Sequence, residues 1–262
     1  MRDLVLTDAR ELRRTLPKVF QQDRFLLANF AHREVAMLVT SGRTTVLRVN
    51  RRGSAGIVGY GDIGAVVELI ERNAERIGPV DHALLPYGTE ETWPGRVAAA
   101  TGLATAPPWV WLFCTTAPPH QPGEEMCRIL PPEELGEVAE LLREANPIAM
   151  SSPEDESLAW WGYRDEQGAL LSVCAVEFQE DPGWQTGFGP RPGQGVRLSG
   201  FGTHPDARGR GIGRAMMAAM TRWGVREHGF VHYGVWMDNE DAVRLYRRLG
   251  YQVSAEIQMY RR

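Results

Sequence analysis

Three closely spaced glycines lead straight into a one-sided apolar stripe in the second half of the chain, and few folds accommodate that order. Arg208-Gly209-Arg210-Gly211-Ile212-Gly213 follows a strand-like run ending at Thr203-His204-Pro205, and Ile212, Ala215, Met216, Ala219, Met220 and Trp223 then recur at helical spacing. The helix buries one face, and its first turn points back at the glycines. Lacking a Cβ, glycine lets the backbone turn sharply and approach a ligand closely. Unpaired N–H groups and the positive end of the helix dipole favour an anion there. Arg208, Arg210 and Arg214 add guanidinium charge, whose forked donors suit phosphate oxygens. The pattern predicts a strand-loop-helix cradle for a diphosphate.

Two other phosphate loops are excluded by the residues. A Walker loop needs Lys-Ser or Lys-Thr after its last glycine, and Arg214-Ala215 stands here. A dinucleotide fingerprint needs Gly-x-Gly-x-x-Gly, and from either Gly209 or Gly211 the third glycine is missing. Glycines alone would also serve a plain strand-to-helix turn, so the downstream pattern decides. Residues 231–236 read as a buried strand, and Asp238-Asn239 can cap a helix whose inner face is Ala242, Leu245, Tyr246 and Leu249. Gly250 ends that helix, and a period-two strand follows with Tyr251, Val253, Ala255, Ile257 and Met259 on one face.

This run resembles the GNAT family of N-acetyltransferases. The family's pyrophosphate loop, Arg/Gln-x-x-Gly-x-Gly/Ala, is matched by Arg208, Gly211 and Gly213, and its later Asn-x-x-Ala-x-x-Leu-Tyr followed by Gly-Tyr/Phe by Asn239, Ala242, Leu245, Tyr246, Gly250 and Tyr251. The likeness covers residues from about 126 to 262. It implies acetyl-CoA as cosubstrate, with no metal. Main-chain groups of Phe201, Gly202 and Thr203 would pair with the pantetheine arm, and the amides of Gly209, Arg210, Gly211, Ile212, Gly213 and Arg214 would hold the pyrophosphate. Asn239 would lie beside the cofactor, and Tyr246 would face the thioester sulfur as acid, although an aromatic on that stripe fits a plain core role too.

The base departs from the family pattern. Many relatives carry a glutamate on the strand before the loop, but residues 196–203 contain no carboxylate. Glu177, near the end of the neighbouring strand, is the first substitute, with a solvated strand-end charge as its plain reading. His232 is second, and His204 reads as part of a structural His-Pro turn. The need is real, because a lysine-like amine costs about 4 kcal/mol to deprotonate at neutral pH. A water path or an amine arriving neutral would also meet it.

Composition narrows the partners. A formal charge of −4 gives no general attraction to nucleic acid. Cys114, Cys127 and Cys174 lack metal-ligand spacing and sit in or beside apolar runs, which points to a reducing, cytoplasmic setting. No apolar run reaches the roughly 18 residues of a membrane span. A homodimer is compatible with the sequence, though nothing in it marks one.

Residues 117–123, Ala-Pro-Pro-His-Gln-Pro-Gly, are too rich in proline and glycine for a helix or inner strand. The division expected is 1–120, a linker at 121–125, and 126–262. In the first half, residues 34–41 and 43–50 pair as a hairpin, 53–61 form a glycine-rich stretch before a helix, 82–85 and 109–115 are strands, and 90–100 a helix. That order echoes the second half, but the glycine-rich stretch lacks the arginines. The fold expected is therefore α/β, of the α+β kind: a mixed, mostly antiparallel twisted sheet flanked by helices, as a tandem of a degenerate and a complete GNAT-like domain.

Residues 179–194 form a loop carrying Trp184 and Phe188, which either covers the acceptor or merely anchors to the core. The activity expected is acetyl transfer to a primary amine, on a small molecule or peptide, by direct attack in a ternary complex. A CoA-binding regulatory module without turnover and an acyltransferase using longer acyl chains are the alternatives.

Overall fold

The structure is a computed structural model that describes residues 3–21, 23–31, 33–51, 53–178 and 195–262. The first half runs β1 (Leu4–Leu6), α1 (Ala9–Phe20), α2 (Arg24–Phe30), β2 (Glu34–Ser41), β3 (Thr44–Arg51), β4 (Ser54–Tyr60), α3 (Ile63–Arg72), α4 (Ala74–Ile77), β5 (His82–Pro86), α5 (Thr89–Thr92), α6 (Arg96–Thr101) and β6 (Ala104–Cys114). The second half runs β7 (Cys127–Ile129), α7 (Leu135–Ala145), β8 (Leu158–Arg164), β9 (Leu170–Phe178), β10 (Val196–Thr203), α8 (Ile212–His228), β11 (Val231–Trp236), α9 (Glu240–Arg248) and β12 (Gln252–Arg261).

Among the described residues the twelve strands join one sheet in the order β1-β2-β3-β4-β5-β12-β6-β11-β10-β9-β8-β7. The order is symmetric about the β12–β6 pair: matching β1 with β7, β4 with β10, β5 with β11 and β6 with β12 maps each half onto the other. Parallel pairing occurs at the two equivalent places, β4 with β5 and β10 with β11. The last strand of each half is inserted into the other, so that β12 lies between β5 and β6 while β6 lies between β11 and β12. The tandem arrangement is thus a reciprocal exchange of strands, and the central seam is sheet hydrogen bonding.

Register fixes which helices share a face. Arg197 stands opposite Glu177 on β9 and His232 on β11, and His232 opposite Phe113 on β6. That face carries Trp111, Phe230 and Ile257, covered by α1 and α2, and further along Ala175 and Trp160, covered by α7. The opposite face packs Val39, Ile57 and Leu85 under α3 and α6, and Val176, Leu198 and Tyr233 under α8 and α9. Among the described residues no helix is long and apolar enough to cross a membrane.

Several local expectations change. Residues 90–100 are not one helix, because Pro94 and Gly95, with φ of 70°, separate α5 from α6. The glycine-rich stretch at 53–61 is strand β4. β12 does not keep one face: a register shift around Ser254 leaves Tyr251 and Val253 against α8 and α9 but turns Ala255 and Ile257 toward α1 and α2. Helices α1 and α2 escaped the sequence reading. α1 contains Pro17, and α2, Arg-Phe-Leu-Leu-Ala-Asn-Phe, is apolar on most sides and too short to show a period.

Candidate active site

The parallel strands β10 and β11 pair only at Val196–Val231, Arg197–His232 and Leu198–Tyr233, although β10 continues to Thr203 and β11 to Trp236. Beyond that rung they part. The cause lies on β10, where pairing with β9 shifts register between Ser199 and Gly202. Gly200 adopts φ of 57° within this bulge, and a Cβ there would come within 3.0 Å of both Ser151 and Trp160. The residues before β8 secure the bulge from outside: Asn146 donates from Nδ2 to the Phe201 carbonyl at 3.0 Å, and the Ser151 hydroxyl donates to Ser199 Oγ at 2.8 Å.

The amino end of α8 faces the same gap. Gly211 is its N-cap with φ of 82° and makes no side-chain cap, so the first-turn amides have no internal acceptor. A Cβ on Gly213 would meet the Phe201 ring at 3.2 Å and Thr203 Oγ1 at 3.5 Å, so this glycine lets the helix lie directly on the parted strand. Arg210 and Arg214 are exposed beside the loop. Arg208 is engaged differently: Nε donates to the Thr203 carbonyl at 3.2 Å and Nη2 to the Ala145 carbonyl at 3.0 Å, bracing β10 against α7. Gly202 and Thr203 also bond inward, the Gly202 carbonyl accepting from Ser172 at 2.9 Å and the two hydroxyls of Thr203 and Ser172 meeting at 3.0 Å.

Asn239 caps α9, its Oδ1 accepting from the Ala242 amide at 3.1 Å. One turn further on, Tyr246 is 1% exposed, with its ring edge-on to Tyr233 at 5.2 Å and tilted against Tyr251 at 5.7 Å. Burial is the main cause raising the Tyr246 phenol well above its ordinary value, and it raises Tyr233 too.

Glu177 lies on the other face, ion-paired with Arg197 at 2.8 Å. Arg197 stands four positions before Phe201, at most about 13 Å along an extended strand. The structure therefore gathers Phe201, Gly213 and Tyr246 around the gap but sets Glu177 apart in a row with Arg197 and His232. Fully buried His232 accepts at Nδ1 from the Trp111 indole at 3.1 Å, which assigns its proton to Nε2. His204 Nδ1 accepts from the Asp206 amide at 3.2 Å, a turn-forming role. Trp184 and Phe188 lie outside the described residues.

The equivalent place in the first half is closed. β4 and β5 pair from Gly56–His82 to Val58–Leu84, and beyond them a Cβ on Gly59 would overlap Val66 at 2.5 Å and Leu85 at 2.9 Å. Asp62 caps α3 through the Ala65 amide at 2.9 Å, so a carboxylate already occupies the anion position.

Asn146, Ser151 and Tyr233 were not singled out from sequence. Gly200 did leave a signal, since a glycine inside a strand pattern marks a bulge. Cys114, Cys127 and Cys174 are free thiols, and burial pushes Cys127 up to about 12, far from a reactive thiolate. Among the described residues no group of three His, Cys, Asp or Glu is placed to hold a metal.

The acetyltransferase (GNAT) family model matches residues 124–251. No curated protein sequence matches the chain. Among solved structures, a Drosophila protein superposes with a TM-score of 0.60 at 15% identity, covering 100% of this chain and 99% of its own. A GNAT-family acetyltransferase from Colwellia psychrerythraea gives 0.57 at 12% identity, covering 100% and 99%. A tandem GNAT protein from the clavulanic acid biosynthesis pathway gives 0.51 at 13% identity, covering 99% and 97%. At such identities these likenesses speak for the fold, and the last shares the tandem arrangement. With the family match over the glycine loop and the parted strands, residues 124–251 belong to the GNAT family of acetyltransferases, and the chain is an acyltransferase.

Proposed function

We propose that the chain transfers an acetyl group from acetyl-CoA to a primary amine by direct attack in a ternary complex. One observation carries the reading: a helix with an uncapped, glycine-lined amino end opens onto two parallel strands that have come apart. The amides of residues 209–214, with Arg210 and Arg214, take the pyrophosphate, and Arg208 holds the loop in place. The pantetheine arm runs beside Phe201, Gly202 and Thr203, with Asn239 at its flank. Tyr246 supplies the thiolate's proton. Glu177 receives the amine's proton through water, given its distance along the strand.

The first half, 1–120, acts as a support: α2 sets Phe25 against Trp111 at 5.7 Å, directly behind His232. Residues 121–125 join it to 126–262, and the acceptor is a small-molecule or peptide amine in the cytoplasm. A second reading, a CoA-binding module without turnover, is favoured by the lack of a carboxylate on β10. Calorimetry with CoA, then thiol release from acetyl-CoA with a panel of primary amines, separates the two. A single binding site with release supports transfer; binding without release from any amine supports the module, and no binding removes both.

A further inference from the structure

Strand β11 is open at one position. From Val231 to Val235 every residue is buried except Gly234, which is exposed. Tyr233 makes the last rung that β10 and β11 share, so Gly234 is the first residue of β11 beyond the fork. Two residues on from His232, it lies on the face that α2 and α7 cover elsewhere. Its neighbour on β6 is Trp111, under α2, while the first residue of β10 beyond the fork, Ser199, stands opposite Ala175, under α7. The bare patch therefore sits between those two covers, at the fork itself. The other face is shut there, because Leu198 and Tyr233 pack under α8 and α9.

Trp109 forms one bank of the opening. A Cβ on Gly234 would meet two atoms of the Trp109 ring, both at 3.1 Å, so the absence of a side chain lets the indole settle onto the strand. The ring is half-buried and held from behind by Phe25, edge-on at 5.9 Å. β6 and α2 both belong to the first half, so this bank is built by residues outside the half that carries the glycine loop. Across the fork, the Ser151 hydroxyl donates to Ser199 Oγ at 2.8 Å, and the segment leading to Ser151 carries Ile148 and Met150, 69% and 80% exposed. An indole on one side and two exposed apolar residues on the segment opposite make an apolar mouth.

We propose that the acceptor enters over Gly234 against Trp109, and that it is an aromatic amine: a primary amine with a ring within a few bonds of its nitrogen. This rests on the acetyl transfer proposed above and names the class of acceptor. With the pyrophosphate at residues 209–214 and the pantetheine arm running back along β10 from Thr203 to Phe201, the thioester end comes to the fork from the side of α8. Coenzyme fills that side, so a ternary complex leaves the amine the opposite face, where Gly234 is open. A ring seated against the Trp109 indole gains an aromatic contact in addition to the area it buries, and its amine is set toward the fork. Trp109 moves no proton; it acts on the acceptor alone, and the first half thereby selects what the second half acetylates.

Calorimetry on the protein saturated with CoA reads the acceptor by itself, since no acetyl group is present to transfer. Phenethylamine and ethylamine are the probes. The wild type should bind phenethylamine about tenfold more tightly than ethylamine, and Trp109→Ala should bring the two together without changing the affinity for CoA. Initial rates should split the same way, with KM for phenethylamine raised about tenfold in the variant and KM for acetyl-CoA unmoved. Trp109→Leu keeps apolar bulk without the flat ring, and its preference should fall too; this covers the case in which Trp109→Ala does not fold. Equal binding of the two amines by the wild type, an unchanged preference in Trp109→Leu, or variants that alter only CoA binding would overturn the assignment. Thiol release with amines of every kind and no preference for the aromatic one defeats this inference alone, whereas no release with any amine defeats the acetyl-transfer reading as well.

Discussion

The Asn146 carboxamide reaches from the end of α7 to the main-chain carbonyl of Phe201, 55 positions later, and closes a 3.0 Å hydrogen bond. The bond crosses from helix to bulged strand at the point where β10 leaves β11, so the width of the gap depends on a side chain that belongs to neither strand. Asn146→Ala leaves a part-buried carbonyl without its partner, a loss of about 1–2 kcal/mol. The expected outcome is a lower melting temperature together with a raised KM for acetyl-CoA, read by a thermal melt and initial rates on one preparation.

The loop arginines should divide by what they touch. Arg210→Ala and Arg214→Ala keep the fold and weaken CoA binding roughly tenfold or more each, an effect that shrinks as salt is raised. Arg208→Ala instead removes donors to the Thr203 and Ala145 carbonyls, so thermal stability falls along with affinity. Calorimetry at two ionic strengths, paired with melting curves, checks the contrast.

Gly200→Ala faces two obstacles, a left-handed φ of 57° and contacts of 3.0 Å to Ser151 and Trp160. A destabilisation of about 1–3 kcal/mol follows from the backbone alone. Denaturant unfolding measures it, and a change near zero would mean that β10 relaxes out of its bulge without cost.

Asp23 caps α2 through the Leu26 amide at 3.0 Å, while burial raises its carboxyl above the ordinary carboxylate value. An acid with a raised folded pKa is penalised when ionised. Its contribution is therefore most favourable at pH below its unfolded value and declines as pH rises through the folded value. Asp23→Asn keeps a good cap without the charge. The variant should be more stable than the wild type at pH 7 and lose that advantage under acid, as urea melts at the two pH values would show.

Much of the second half was legible because its signals are local. The glycines, the spacing Ile212, Ala215, Met216 and the cap Asn239 act within one turn of where they stand, and α8, β11 and α9 follow them closely. What escaped depends on distant partners. Tyr233 reads as one more apolar strand residue until its ring is seen edge-on to Tyr246, and Asn146 reads as a helix stop. Glu177 looked suitable by strand position, but register sets it opposite Arg197. The Ser254 register shift was invisible because alternation from 251 to 257 is unbroken in the residues themselves and broken only against β6.

The crossing of β6 and β12 also bears on how the molecule can be taken apart. A cut in the proline-rich stretch near residue 120 would leave the catalytic piece with β11 and β12 flanking an empty slot, while the other piece would keep a matching slot between β5 and β6. Neither fragment can repair itself, yet each carries the strand that the other lacks. Separately made, the pieces should be insoluble or unfolded; mixed, they should reassemble. The ancestor such symmetry suggests is a dimer of two identical chains that had already traded their final strands before a single gene joined them.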